Sequence, residues 1–291
     1  MTIKEAERIV RDYEYKSVLT PDEEFLLTEA MEFMIDKTRN PRWMVRLGSY
    51  YYEHKNFDLA LKYYEMADSY GDKWAPEGLG YIWYYGRTGE KDYEKAFKYY
   101  SKAAKNGFLR SEMKVADMYK NGYYVEKDYD KYCNMIEKLY KKSIKRFGSD
   151  EQCDLSVRLA RIRKEQGRTD EAIDLFCNAK SLLIRELSID PFFGDLNVMK
   201  WLTEDMYQIR EFDRADFDLY DLYYLLREPV TVGFKYNDKD YTVEAVREPE
   251  SIAVHFGDKW YKDVSEFFLK AELDGKRLPE LYYMLYDFRV M

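Results

Sequence analysis

The chain has 291 residues, 46% hydrophobic and 35% charged, with a formal net charge of −8. That length suits one large or two ordinary domains, and the composition excludes a disordered chain and, with no run near the roughly 20 apolar residues that span a bilayer, a membrane-embedded one. The acidic balance works against non-specific binding to a phosphate backbone, which needs clustered Lys and Arg, so the expected partner is a protein or peptide, with a basic or amphipathic segment, rather than nucleic acid.

Tyrosine is the compositional outlier, with 30 copies against two histidines. The opening MTIKEAERIVRDYEY is charged from Lys4 and lacks the apolar core of a signal peptide, which gives a cytoplasmic expectation. Cys133, Cys153 and Cys177 form no metal or redox spacing, so they read as reduced thiols.

Residues 3–16 place Ile3, Ala6, Ile9, Val10 and Tyr13 on one helical face. Thr20-Pro21-Asp22-Glu23 supplies an N-cap, a first-turn proline and an acid for a second helix ending near Lys37. This pair lacks the small residues that mark the later helices and reads as a terminal cap over 1–40.

A duplication then begins. LGSYYYEHKNFDLALKYYEMADSYG (47–71) aligns with LGYIWYYGRTGEKDYEKAFKYYSKAAKNG (79–107), so that Gly48, Ala60, Ala67 and Gly71 fall on Gly80, Ala96, Ala103 and Gly107. Self-similarity at about 30–40 residues signals stacked helix pairs. Helix A and helix B are expected at 42–53 and 57–70, then from Pro76 and at 93–106. A third unit follows 36 residues on, with Ala116 for Gly80 and Tyr129-Asp130 for Tyr93-Glu94. Its helix-B small positions become Tyr132 and Leu139, a bulkier contact expected to splay the pair. The fourth unit brings Ala160, Gly167, Ala172, Phe176 and Ala179. A divergent fifth pair is expected at about 194–210 and 213–227. Small residues recur because paired helices approach to about 8–10 Å only where side chains are short.

Leu-Gly, an aromatic end to helix A, the G-x-x-x-x-x-D turn (Gly86 to Asp92, Gly122 to Asp128) and K-A-x-x-Y-Y-x-K-A-A-x-x-G together resemble the Sel1-like repeat. The short-turn units at about 41–72 and 153–186 are more similar to tetratricopeptide repeats. The resemblance covers residues 41–186 and implies a protein–protein adaptor or scaffold without catalysis.

After Glu228-Pro229 the period changes. VTVGFKY (230–236) and DYTVEAV (240–246) alternate across Asn237-Asp238-Lys239 as a hairpin. SIAVHFG (251–257) offers a third strand that KWY (259–261) extends. Asp263 with Glu266 forms a capping box for a helix, and Leu278-Pro279 starts a last helix through Tyr282, Leu285 and Phe288. The fold class is therefore mainly α: a superhelical solenoid of helix-turn-helix repeats over 1–228 (repeats 41–186, last pair 187–228). A small α+β domain over 229–291, with a three- or four-stranded antiparallel meander and two helices, closes it.

The residues supply no catalytic set, cofactor site or metal site. His54 reads as a turn residue and His255 as a half-buried strand residue, with no ligand spacing around either. Gly86-Arg-Thr-Gly89 lacks the lysine and preceding strand of a phosphate loop. In tetratricopeptide arrangements partners meet the concave face of the A helices. The corresponding positions are Ser49, Tyr52 and Glu53, then Tyr81, Tyr84 and Tyr85, then Asp117, Lys120 and Asn121, then Arg161, Lys164 and Glu165. The groove candidates are Tyr52, Tyr81, Tyr84, Tyr85, Asp117, Lys120, Arg161 and Lys164, with the last two as a basic end for an acidic group. The alternative function is a nucleic-acid- or modified-target reader in 229–291, presented by the solenoid.

Overall fold

The computed structural model describes residues 1–16, 18–146, 151–189, 193–209 and 217–291. By compactness the chain divides into Met1–Leu139 and Tyr140–Met291.

The first unit opens with α1 (Ile3–Tyr13) and α2 (Pro21–Thr38). Thr20 Oγ1 accepts from the Glu23 N–H while Glu23 accepts from the Thr20 N–H, the reciprocal cap expected from the sequence. The pair packs directly on the first repeat. Val10, Leu27, Met31 and Met34 share one buried cluster with Met44, Leu47 and Tyr63 of the first repeat.

Three hairpins follow: α3 (Pro41–Glu53) with α4 (Phe57–Ser69), α5 (Ala75–Tyr85) with α6 (Tyr93–Lys105), and α7 (Leu109–Asn121) with α8 (Tyr129–Ser143). Their period is visible in single hydrogen bonds. Asp72 N–H donates to the Ala67 carbonyl at 3.0 Å, and Phe108 N–H donates to Ala103 at 3.3 Å, each across a left-handed glycine (Gly71, φ 79°; Gly107, φ 91°). Asp92 N–H donates to Trp83 at 3.0 Å and Asp128 N–H to Tyr119 at 2.9 Å, closing the two long turns identically. Lys95 lies 3.8 Å over the Trp83 ring and Lys131 3.7 Å over Tyr119.

The glycines of helix A are sockets. A Cβ on Gly80 would lie 2.5 Å from the Tyr100 ring, and one on Gly48 would lie 2.9 Å from Tyr64. Tyr64 also fills the space beside Gly78, where a Cβ would come within 2.7 Å. One ring of α4 thus plugs the helix before it and the helix after it. In the third hairpin Ala116 takes the glycine's place, and Tyr132 and Leu139 are both buried.

The second unit holds α9 (Glu151–Glu165), α10 (Thr169–Ile189), α11 (Phe193–Tyr207), the short α12 (Leu222–Leu225) and a sheet. Strands β1 (Val230–Tyr236), β2 (Lys239–Arg247), β3 (Ile252–Phe256), β4 (Lys259–Tyr261) and β7 (Leu285–Val290) pair in the order β4-β3-β2-β1-β7; β5 (Glu272–Leu273) and β6 (Lys276–Arg277) form a separate ribbon, and α13 (Val264–Lys270) precedes it. All the strand pairings are antiparallel. Asn237 and Asp238, both at positive φ (50° and 60°), turn β1 into β2, the geometry that matches strand twist. One core runs through Ala160, Phe176, Leu183, Met199, Tyr220, Phe234, Phe268 and Leu281. The fourth repeat and the sheet therefore bury their apolar faces together.

Five expectations are corrected. The main sheet has five strands, not three or four. KWY is no extension of β3 but a separate strand folded back through Gly257 at φ 60°. No helix runs through Leu285 and Phe288: a 3-10 helix spans Leu278–Met284, and Leu285–Val290 pairs with β1 as an edge strand. The helix expected at 213–227 is limited to a 3-10 turn at Leu219–Asp221 and α12, while 213–216 lie outside the described residues. The cause is Asp218 and Asp221, whose carboxylates bond local backbone N–H groups and compete with helix hydrogen bonding. Asp263 caps α13 as expected, but Glu266 accepts from the Lys262 N–H, one residue earlier than a capping box requires.

Candidate partner-binding face

The α3, α5 and α7 ends of the first unit carry an array of rings and cations. Arg87, in the turn after α5, donates from Nε to the Tyr52 hydroxyl at 3.2 Å. Its guanidinium lies 5.8, 5.4 and 5.2 Å from the ring centres of Tyr52, Phe57 and Tyr85. Lys114 of α7 donates from Nζ to the Tyr85 hydroxyl at 2.7 Å and lies 5.7, 5.1 and 5.1 Å from the Tyr81, Tyr84 and Tyr85 rings. Cations over ring faces are held by the ring quadrupole. The array is continuous across three successive A helices, and Tyr85 lies between both cations with 41% of its surface exposed.

The tyrosine candidates separate by burial. Tyr81 meets Tyr100 edge-on at 5.6 Å, and burial pushes its hydroxyl pKa up to about 12. Tyr84 is enclosed by Tyr85, Tyr93, Tyr100 and Tyr123 at 5.0–6.0 Å, and burial followed by the Asp117 charge raises its pKa. These two chiefly cement neighbouring hairpins, while Tyr52 and Tyr85 present polar edges. Lys120 is exposed and lies 5.0 Å over the Tyr132 ring.

Arg161 and Lys164 lie in the other compact unit and have partners on or just beyond α11. Arg161 Nε meets Asp205 at 2.6 Å, and Lys164 Nζ donates to Gln208 at 2.6 Å. Sequence reasoning reads these as free charges because the i+44 partners fall in the divergent pair. It also passes over Arg87 and Lys114, although both flank the tyrosine stripe, one in the turn after α5 and one on α7.

His54 is exposed and stacks on Tyr50 at 4.1 Å. His255 stacks on Trp260 at 4.7 Å and faces Glu244 at 3.9 Å across the sheet. Two open hollows lie on the first unit, one of about 590 Å³ at the α7–α8 turn, and one of about 570 Å³ between Arg42, Val45 and Arg46 of α3 and Asp72, Lys73 and Trp74. Among the described residues, no group of three or more His, Cys, Asp and Glu is placed to hold a metal ion, and no helix is long and apolar enough to cross a membrane.

The Sel1 repeat model matches residues 44–67, 78–108 and 109–131. No curated protein matches the chain. A Sel1 repeat protein from Oxalobacter formigenes is similar at 19% identity and TM-score 0.47, over 71% of this chain and 90% of that one. A protective antigen present in uropathogenic Escherichia coli strains, displaying an SLR fold, is similar at 16% identity and TM-score 0.48, over 72% of this chain and half of the antigen. A Rap protein complexed with competence and sporulation factor is similar at 13% identity and TM-score 0.42, over 70% of this chain and 69% of the other. The matched periods coincide with the hairpins α3–α4 and α5–α6 and with α7 into α8, and residues 44–131 are Sel1 repeats.

Proposed function

We propose that this chain is a non-enzymatic, cytoplasmic adaptor that binds a protein or peptide along the A-helix face of its repeats. One observation carries the reading: Tyr52, Arg87, Tyr85 and Lys114 join into a single accessible ring-and-cation surface across α3, α5 and α7. Tyrosine and arginine suit such surfaces, because each combines broad apolar area with directed hydrogen bonding. The bound segment is amphipathic, laying apolar side chains on the rings and polar ones on the cations. Affinity capture with the intact chain and with a Tyr52→Ala/Tyr85→Ala variant tests this. The partner is expected to be lost from the variant while circular dichroism stays unchanged; full retention would move binding off this face.

A second reading gives recognition to the terminal sheet, where Trp260 is 58% exposed and stacked on His255. In that case Trp260→Ala in the full chain removes the partner and the tyrosine variant does not.

A further inference from the structure

The chemistry of the A-helix face specifies its ligand more closely than the charge of the whole chain does. Arg87 and Lys114 each give a hydrogen bond to a phenol oxygen, so these partners are neutral. Among the described residues neither cation sits in an ion pair. Of the acids nearby, Glu77 accepts from Ser111 at 2.9 Å, and the Asp117 charge helps raise the Tyr84 hydroxyl pKa.

The two phenols complete the pattern. Each accepts from a cation, which leaves its own O–H hydrogen to be given outward. The remaining N–H groups of the guanidinium and ammonium meet no carboxylate among the described residues. The four groups are therefore a cluster of hydrogen-bond donors that includes two cations, built on aromatic rings, and it wants acceptors. The net charge of −8 does not oppose this at contact distance, because charges beyond about 8 Å are screened at physiological salt.

We infer that Tyr52, Arg87, Tyr85 and Lys114 recognise a short acidic segment of a partner protein. Asp or Glu carboxylates accept from both cations and both phenol hydroxyls, and apolar neighbours in the segment lie on Tyr85. This rests on the A-helix face being the binding face, and it reverses the basic partner suggested by net charge alone.

The test is a random-peptide display library panned on the intact protein, with anisotropy titration of the labelled peptides recovered. Enriched peptides are expected to be acidic, to lose at least tenfold in affinity with Arg87→Gln/Lys114→Gln, and to lose several-fold with Tyr52→Phe, which keeps the ring. Affinity should fall at least threefold between 50 and 200 mM NaCl, and Arg87→Lys should recover part of the loss. Peptides that are neutral or basic, and that depend on Tyr85 but not on Arg87 and Lys114, would overturn the acidic assignment and leave the face standing. Displacement of the peptides by an equal charge of oligothymidylate would overturn it as well. If no peptide is enriched over panning on Tyr52→Ala/Tyr85→Ala, both this inference and the binding face fall.

Discussion

Residues 1–139 and residues 140–291 bury large aromatic side chains by different means. In the first unit, rings from B helices plug glycine sockets in A helices, so each contact is local to a hairpin or to its neighbour. In the second, one core joins α9 and α10 to the sheet. A polar network is sealed inside it: Lys180 meets Asp221 at 2.7 Å and Asp218 at 2.9 Å, and Tyr282 donates to Asp218 at 3.0 Å. Burial alone would lower the Lys180 pKa, but the two carboxylates outweigh it and hold the ammonium above its usual value. The contrast concerns where charge is spent. The second unit sets Lys180 and Arg161 on carboxylates of its own, whereas the first leaves Arg87 and Lys114 on neutral phenols at its surface.

The largest expected effect breaks the sealed network. Lys180→Met strands a fully buried Asp221 and should cost about 3–5 kcal/mol in urea unfolding followed by Trp201 and Trp260 fluorescence; Lys180→Met with Asp221→Leu should recover much of it. Recovery would show that the pair specifies geometry more than it stabilises.

The alkaline limb comes next. Burial raises the hydroxyl pKa values of Tyr64 and Tyr81 from about 10 to about 12. Their folded pKa values exceed the unfolded one, so the stabilisation is complete below about pH 10 and is lost as the pH climbs toward 12. Absorbance at 295 nm and helical circular dichroism should therefore change together in that window. Ionisation of most tyrosines near pH 10 without loss of helix would contradict the socket description.

A smaller effect addresses one socket. Gly80→Ala gains about 1 kcal/mol of helix propensity but drives a methyl into the Tyr100 ring, and the net loss should be about 1–2 kcal/mol by thermal unfolding. Tyr100→Phe should be neutral or slightly stabilising, since the buried Tyr100 hydroxyl has no hydrogen-bond partner among the described residues. The smallest effect is on Tyr85→Ala, within about 0.5 kcal/mol of the parent. That stability, together with lost binding, would separate a recognition residue from the cementing Tyr84.

The repeats were legible because their cause is steric and periodic: Gly48 and Gly80 recur where Tyr64 and Tyr100 must fit. β1 and the polar turn after it were legible from strict alternation. The terminal strand was not. Tyr282, Leu285 and Phe288 recur every three residues, which imitates a helix. In β7 that spacing spans a bulge, where Asp287 at φ 55° inserts an extra residue opposite β1 and returns Leu285 and Phe288 to the same buried side. In the candidate face, the tyrosines were legible from their repeat positions. Arg87 was not, because a turn residue reaching back to Tyr52 in the preceding hairpin leaves no trace in helical periodicity.

Tyr64 plugs α3 and α5 at once, and this ties the lifetime of one hairpin to the next. Losing either neighbour empties half the seat of an otherwise sound residue, so opening should begin at array ends and move inward hairpin by hairpin. Amide hydrogen exchange would then be slowest in α4 and α5, with the protection gradient marking how far each unfolding event travels.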